Sequence, residues 1–112
     1  MKRVWITILA FAAVLMFTGI ASAQAQVDHG MKVYTDQKCS LCHSVNGKGN
    51  AKGKLDGVGA RLKVEEIREW IVNSTEMAAK AKADRKPPMK AYASLPKDDL
   101  DALVAYVSSL KK

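Results

Sequence analysis

The stretch Cys39-Ser40-Leu41-Cys42-His43 decides how the rest of this chain is interpreted. Cys39 and Cys42 are its only cysteines; they stand three positions apart, and a histidine follows the second directly. This spacing is typical of the attachment of a c-type haem, in which each thiol forms a thioether bond to one vinyl group of the same porphyrin. The imidazole that follows is held beneath the ring, where it can bind the iron. The motif therefore predicts one covalently attached haem c per chain, with His43 as an axial ligand.

A cysteine pair has other common uses, and the sequence disfavours each of them. A thioredoxin-like redox pair lies near a βαβ pattern, and this chain has no strand-like alternation. A structural zinc site needs about four ligands, and only His29 could complete a set with the three residues of the motif. A disulfide between the two cysteines would close a very short loop and would stabilise the fold little. Redox dithiol and zinc binding remain the alternatives to haem.

The amino terminus has the composition of a secretory signal peptide. Lys2 and Arg3 form a basic start, residues 4–20 form an apolar stretch, and residues 21–23 read Ala-Ser-Ala, a cleavage site of small residues. We expect residues 1–23 to be removed, with Ala25 as a second cleavage position. The alternative is an uncleaved membrane anchor, because the apolar stretch is at the lower limit of a membrane span.

The mature chain, residues 24–112, is a small basic domain. It has 89 of the 112 residues, enough for one domain that is marginally stable on its own. Loss of Lys2 and Arg3 lowers the formal net charge from +7 to +5. After residue 23 there is no apolar run long enough to span a membrane. We therefore expect an exported, soluble monomer with no stable membrane span, whose core is completed by the porphyrin.

Apolar residues recur with helical spacing along the mature chain. Val27, Met31 and Tyr34 lie at i, i+4 and i+7, which predicts a short amphipathic helix over residues 27–38 that ends just before Cys39. Residues 44–59 carry five of the seven glycines and no apolar period, so they predict an irregular loop. Residues 85–96 hold all three prolines and cannot form one continuous helix.

Two later helices are predicted by apolar stripes, and an alanine-rich stretch over residues 75–83 could form another short helix. The middle helix, residues 64–73, has one apolar face, made of Val64, Ile67, Trp70 and Ile71. The last helix has the clearest stripe, made of Leu100, Leu103, Val104, Val107 and Leu110. We expect Trp70, Leu103 and Val107 to pack against the porphyrin. The periodicity predicts an all-α fold of about four short helices, which a small bundle could also adopt without any function.

The whole mature chain resembles the class I monohaem c-type cytochromes, the small soluble cytochromes c. Those proteins carry C-x-x-C-H near the end of the first helix, then a glycine-rich loop, a middle helix, a methionine loop and a terminal helix. This chain has the same order, with Met89 in the methionine loop. Family members cross the first and last helices through a glycine and an aromatic residue, to which Gly30, Tyr34 and Tyr106 correspond. The resemblance implies a small all-α cytochrome c fold around one haem.

The chain departs from the family pattern in two loops. Relatives often have Gly-Pro after the motif, where a backbone carbonyl accepts the other N–H of the proximal histidine, whereas here Lys54 follows Gly53. The carbonyl is still available, but we expect a looser orientation of His43 because outer-shell bonds of this kind fix the ring. Many relatives also place proline after the ligand methionine, whereas here two prolines precede Met89.

The second axial ligand has four candidates after the signal peptide. Met31 lies eight residues before Cys39, on a helix that leads to the proximal side of the haem. Met77 lies in a stretch where its flexible side chain would pack in the core. Met89 follows two prolines that prevent helix formation, and it falls about where the family's methionine does. We expect Met89 to be the ligand and His29 to be solvent-exposed, with Met77, histidine ligation or an open site as the alternatives.

These features predict an electron carrier that is periplasmic, is not an enzyme, and binds haem iron through His43 and Met89. Redox protein partners with acidic docking surfaces are expected, because lysines flank the motif, the following loop and the ligand methionine. These lysines are Lys38, Lys48, Lys52, Lys54, Lys86 and Lys90. Nucleic acid is a poor partner, since no basic helix or aromatic platform accompanies the charge. The alternatives are a haem-based binder or sensor of small ligands with an open distal site, and a haem subunit of a larger oxidoreductase complex.

Overall fold

A long helix, α1 (Lys2–Asp36), leads into the haem-attachment motif. The computed structural model describes the backbone of residues 2–112 and the side chains of residues 19–112. The predicted signal peptide, residues 1–23, lies largely outside the described side chains, so its removal and the start of the mature domain at residue 24 stay predictions. Within residues 19–112, no helix combines the length and the hydrophobicity that crossing a membrane requires.

Four further helices and a small hairpin follow α1. The elements are a 3-10 turn (Cys39–Leu41), strands β1 (Ser44–Val45) and β2 (Lys48–Gly49), a second 3-10 turn (Ala51–Gly53), and helices α2 (Val58–Arg61), α3 (Val64–Val72), α4 (Ser74–Lys80) and α5 (Lys97–Ser108). Residues 85–96 contain no helix, as their prolines predict, and α4 ends at Lys80, before the end of the alanine-rich stretch. The predominance of helix confirms the all-α fold class, although the described part of the chain has five helices, because α2 adds a single turn.

The predicted irregular loop over residues 44–59 is wrong in part. Strands β1 and β2 pair antiparallel, with Val45 opposite Lys48. Asn46 and Gly47 connect them, and their φ angles of 51° and 78° are both positive. Positive φ at both central residues is the signature of the type I′ turn, whose twist suits a two-residue hairpin. The Asn-Gly dipeptide is therefore a hairpin signal that the glycine-rich composition of the segment concealed.

The core is centred where α1 crosses α5. A side chain on Gly30 would collide with the backbone of Ala102 and with the Cβ of Tyr106, so a glycine is needed for the helices to approach this closely. Beside this contact the rings of Tyr34 and Tyr106 meet edge to face, with centroids 5.5 Å apart. The crossing through a glycine and an aromatic pair, which the resemblance predicts, is confirmed.

The face of α1 that packs on the core is rotated from the predicted one. Gly30, Val33 and Tyr34 are buried, whereas Met31 is 48% exposed. Gly30 sets this rotation because it is a point of close backbone approach, and residues at i+3 and i+4 share its face. The placement of Met31 in the apolar stripe is therefore wrong. The bounds differ too, since α1 begins upstream of residue 27 and ends at Asp36.

The apolar stripes of α3 and α5 are confirmed with small differences. Ile67 and Ile71 of α3 are buried, but Val64, its first residue, is 51% exposed. Helix α5 ends at Ser108, and Leu110 packs against the core from beyond the helix end. The buried residues of α5 are Ala102, Leu103, Val104, Tyr106 and Val107.

Candidate haem site

An apolar cavity of about 220 Å³ is lined by residues from both ends of the domain. Of the predicted site residues, Cys39, His43 and Met89 line this cavity, whereas Cys42 does not. The structure thus brings together three predicted site residues that span 51 positions of sequence. The other lining residues are Tyr34, Leu55, Val58, Leu62, Ile67, Trp70, Ile71, Tyr92, Leu103 and Val107.

A tight turn positions the two cysteines and His43. Lys38 has a left-handed φ of 56° between the end of α1 and the 3-10 turn. The amides of Cys42 and His43 then both donate to the carbonyl of Cys39, at 3.1 and 2.9 Å. Both cysteines are half-buried and no disulfide joins them, and burial raises the pKa of the Cys39 thiol to about 11. Cys39 is therefore not the activated thiolate that a thioredoxin-like pair needs.

His43 is oriented by a hydrogen bond to the loop that follows the motif. Its Nδ1 lies 3.0 Å from the carbonyl oxygen of Gly53. A carbonyl can only accept, so Nδ1 carries the proton and Nε2 keeps the lone pair that binds a metal. Burial lowers the pKa of His43, which favours the neutral imidazole. The bond has an ordinary length although Lys54 replaces proline, so the structure gives no sign of the expected looser orientation.

Met89 reaches the cavity from the loop between α4 and α5. The fully buried Ser74, the first residue of α4, donates its hydroxyl to the carbonyl of Met89 at 2.9 Å. Three residues later the amide of Tyr92 donates to the carbonyl of Ile71 at 2.8 Å. Met77 lies on α4, half-buried, and is not among the residues that line the cavity. The geometry therefore favours Met89 over Met77 as the sulfur ligand.

The remaining ligand candidates lie away from the cavity. His29 is 44% exposed on α1, and its Nε2 lies 2.9 Å from Oδ1 of Asp99 in the first turn of α5. Neither His29 nor the exposed Met31 lines the cavity. Across residues 19–112, no group of three or more His, Cys, Asp or Glu side chains is arranged to hold a bare metal ion, so the zinc alternative lacks a ligand set there.

The residues of the cavity fit a haem. The thiol of Cys39 in the lining and that of Cys42 in the same turn suit thioether bonds, the imidazole and the methionine sulfur suit iron, and the aliphatic and aromatic lining suits the faces of a porphyrin. Tyr34 also lines the cavity, and burial raises its pKa to about 12. Its hydroxyl is buried and has no hydrogen-bond partner within the described part of the chain. An orphaned buried hydroxyl at a cavity wall is consistent with a bound group that completes the site.

A sequence profile of the family described as Cytochrome c matches residues 27–111. The chain belongs to the cytochrome c family. It is a class I c-type cytochrome, as the resemblance predicts, and membership in this family implies covalently bound haem c and a role in electron transport.

This cytochrome is also similar to part of one larger protein. Cytochrome c oxidase subunit 2 of Alkalihalophilus pseudofirmus is 31% identical over 90 residues, which cover 75% of this chain and 25% of that protein. The chain therefore spans about a quarter of the length of this relative. No solved structure gives a significant match.

Some residues of the cytochrome site could not be singled out from the sequence. Trp70, Leu103 and Val107 line the cavity as predicted. Tyr92 also lines the cavity but is not among the residues predicted from the sequence. An aromatic residue three positions after the candidate methionine, in a loop without helical period, could have indicated it. Arg85 donates to the carbonyl of Cys42 at 2.6 Å across 43 positions of sequence, and no local pattern indicates this contact.

Proposed function

We propose that this cytochrome is an exported, single-haem electron carrier in which Cys39 and Cys42 hold the haem and His43 and Met89 ligate its iron. The observation that carries the proposal is the convergence of Cys39, His43 and Met89 on one apolar cavity. The bound haem supplies reversible one-electron chemistry between ferrous and ferric iron. No bond of a substrate is made or broken, so the protein is not an enzyme.

The protein's part in this function is to fix the ligands and to exclude water. The carbonyl oxygen of Gly53 accepts a hydrogen bond from Nδ1 of His43, which would leave Nε2 available to bind the haem iron. Ser74 holds the backbone of Met89, whose thioether is an uncharged ligand that favours the reduced state and raises the potential. The apolar lining lowers the local dielectric, which also disfavours the more highly charged ferric state.

Mass spectrometry of the exported protein tests the attachment. We expect the mass of residues 24–112 plus one haem, and a haem that stays with the chain in acidified organic solvent, because thioether bonds survive that treatment. Single Cys39→Ser and Cys42→Ser variants should each retain one thioether bond and serve as matched controls. A mature chain without haem, or haem that is extracted from the wild type, would contradict the proposal.

Exposed lysines near the site support docking of acidic redox partners. Lys38, Lys48, Lys52, Lys54, Lys86 and Lys90, here called the lysine collar, are all exposed. None of them takes part in the ion pairs found among residues 19–112. Leu41, between the two cysteines, is 70% exposed. Exposed apolar and charged side chains together are a common composition of a protein interface.

Electron transfer with small charged reagents tests the sign of this surface. Oxidation of the ferrous protein by ferricyanide should slow as salt rises, whereas oxidation by the cationic tris(phenanthroline)cobalt(III) should quicken. The Lys52→Glu, Lys54→Glu double variant should lower the ferricyanide rate roughly tenfold at low salt. The Lys97→Glu, Lys112→Glu double variant, which makes the same change in charge outside the lysine collar, is the control. Equal effects in both variants would leave the lysine collar with a role in solubility only.

The similarity to an oxidase subunit favours a second candidate function, a haem-bearing component of a larger oxidoreductase complex. The two candidates differ in the size of the particle that carries the haem. Size-exclusion chromatography of a mild native extract, followed by haem absorbance, separates them. We expect the haem to elute at the size of a monomer, and elution with a stable larger complex would favour the second candidate.

A further inference from the structure

We infer that Arg85 is a positioning residue for the proximal ligand: its guanidinium group braces the backbone around His43 and ties it to the loop that carries Met89. This inference rests on the proposed function, because it assumes that His43 ligates haem iron. It adds to that function a residue that sets the geometry and the charge on the proximal side.

The main contact is a hydrogen bond to the attachment motif. Nη2 of Arg85 donates to the carbonyl oxygen of Cys42 at 2.6 Å, one residue before His43. The side chain of Arg85 is half-buried. Hydrogen bonds from a charged donor are shorter and stronger than neutral ones, and partial burial reduces their competition with water. Arg85 therefore restrains the end of the turn that delivers His43.

A second contact places the same guanidinium group over Gly53. A Cβ on Gly53 would collide with Nη1 of Arg85 and with the carbonyl oxygen of Cys42, and it would come within 3.0 Å of Nδ1 of His43. The carbonyl oxygen of Gly53 also accepts the hydrogen bond from Nδ1 of His43. Arg85 thus contacts Cys42, which precedes His43 in the turn, and Gly53, which accepts the hydrogen bond from the imidazole. The absence of a side chain at Gly53 makes room for the guanidinium group.

The sequence has no proline next to Gly53 that would restrain the backbone there. The residue after Gly53 is Lys54, whose φ is not locked by a ring as that of proline would be. Arg85 supplies the restraint from outside the loop. Because Arg85 stands four residues before Met89, the same contact also joins the loop of the candidate distal ligand to the turn of the proximal one.

The charge of Arg85 has an effect distinct from its packing. Guanidinium remains protonated at any ordinary pH and binds through a rigid fork of donors. Its positive charge lies close to the imidazole, because a Cβ on Gly53 would contact both Nη1 of Arg85 and Nδ1 of His43. The same charge disfavours additional positive charge on an iron that His43 ligates, so it should stabilise the ferrous state and raise the midpoint potential.

The test compares haem-loaded wild type with Arg85→Met, Arg85→Lys and Lys86→Met. Lys86 is the matched control, because it is the next residue in the same loop, carries the same charge and is exposed. We expect Arg85→Met to lower the midpoint potential, Lys86→Met to leave it near the wild-type value, and Arg85→Lys to keep most of it. Solvent exchange of the Nδ1 proton of His43, followed by NMR, should become roughly tenfold faster in both Arg85 variants and stay unchanged in Lys86→Met.

Arg85→Lys keeps the test usable if Arg85→Met does not fold, because it retains the charge and loses only the fork. Equal potentials and equal exchange rates in the Arg85 and Lys86 variants would overturn the inference. A loss of stability in the Arg85 variants, without a change in potential or in exchange, would also overturn it, since Arg85 would then only hold the loop. A wild type without covalent haem is a separate result, which would overturn the proposed function together with this inference.

Discussion

The turn around His43 and the loop around Met89 border the same cavity and are held in different ways. In the turn, nearby backbone groups bond to one another: the amide of His43 donates to the carbonyl of Cys39, and the amide of Asn50 donates to that of His43, both at 2.9 Å. In the loop, the backbone of Met89 is held by the hydroxyl of Ser74, 15 positions away. The backbone of the proximal turn is therefore held mainly by local bonds, with Arg85 as one long-range contact, and the distal loop by long-range contacts.

This difference has a physical consequence for how each side responds to change. A turn with several short-range backbone bonds regains its shape when one of them is lost, because the loops that they close are short. A loop held by a few distant contacts shifts when one of them is removed, because nothing local restores it. We therefore expect loss of the two cysteines to act through loss of the haem, and changes at the long-range contacts, on either side, to act in graded steps.

The largest effect is expected when covalent attachment is abolished. In a Cys39→Ser, Cys42→Ser variant, we expect the cooperative thermal transition to be lost, because the apolar cavity would stand without its porphyrin. Helices as short as α3 and α5, with 9 and 12 residues, are marginal without packing. Circular dichroism measures the transition, with Ser40→Ala in the same turn as the control. A transition close to that of the haem-loaded protein would show that both regions fold without the cofactor.

Removal of the candidate distal ligand should give a smaller and more specific effect. Met89→Ala should abolish the weak sulfur-to-iron band in the far red of the ferric spectrum and lower the midpoint potential, because an uncharged sulfur ligand raises it. The free energy of unfolding should fall by about 2 kcal/mol, at the low end for a half-buried methionine. Met77→Ala removes a half-buried side chain of the same type and should spare both the band and the potential. The reverse pattern would assign the ligand to Met77.

A still smaller change is expected from the support of the distal loop. Ser74→Ala leaves the carbonyl of Met89 without its donor, which should cost about 1–2 kcal/mol of unfolding free energy. The far-red band should then disappear at a lower denaturant concentration than in the wild type. Ser94→Ala, an exposed serine in the same loop, should change neither quantity. Indistinguishable behaviour of the two variants would mean that local contacts, not Ser74, hold Met89.

The same contrast explains how much of this site could be predicted from sequence. The motif at Cys39 and His43 is local, so the sequence alone predicts its chemistry. The sequence also predicts the apolar stripes of α3 and α5, because periodicity is a local property. The predicted place of Met31 on the buried face of α1 is wrong, since the close approach of Gly30 to α5 is a tertiary contact that no local pattern indicates. Met89 is predicted by elimination among the methionines after the signal peptide and by the resemblance to the family. The contact of Arg85 with the motif joins distant segments, and no periodicity or spacing encodes it.

The central claim is that the turn and the loop ligate one haem iron and leave no open coordination position. The most direct test is the addition of carbon monoxide to the reduced, haem-loaded wild type at neutral pH, followed by its optical spectrum. We predict an unchanged ferrous spectrum, because the sulfur of Met89 occupies the position that the gas would need. Ready formation of a carbon monoxide complex would contradict the claim and would make this cytochrome a binder or sensor of small ligands.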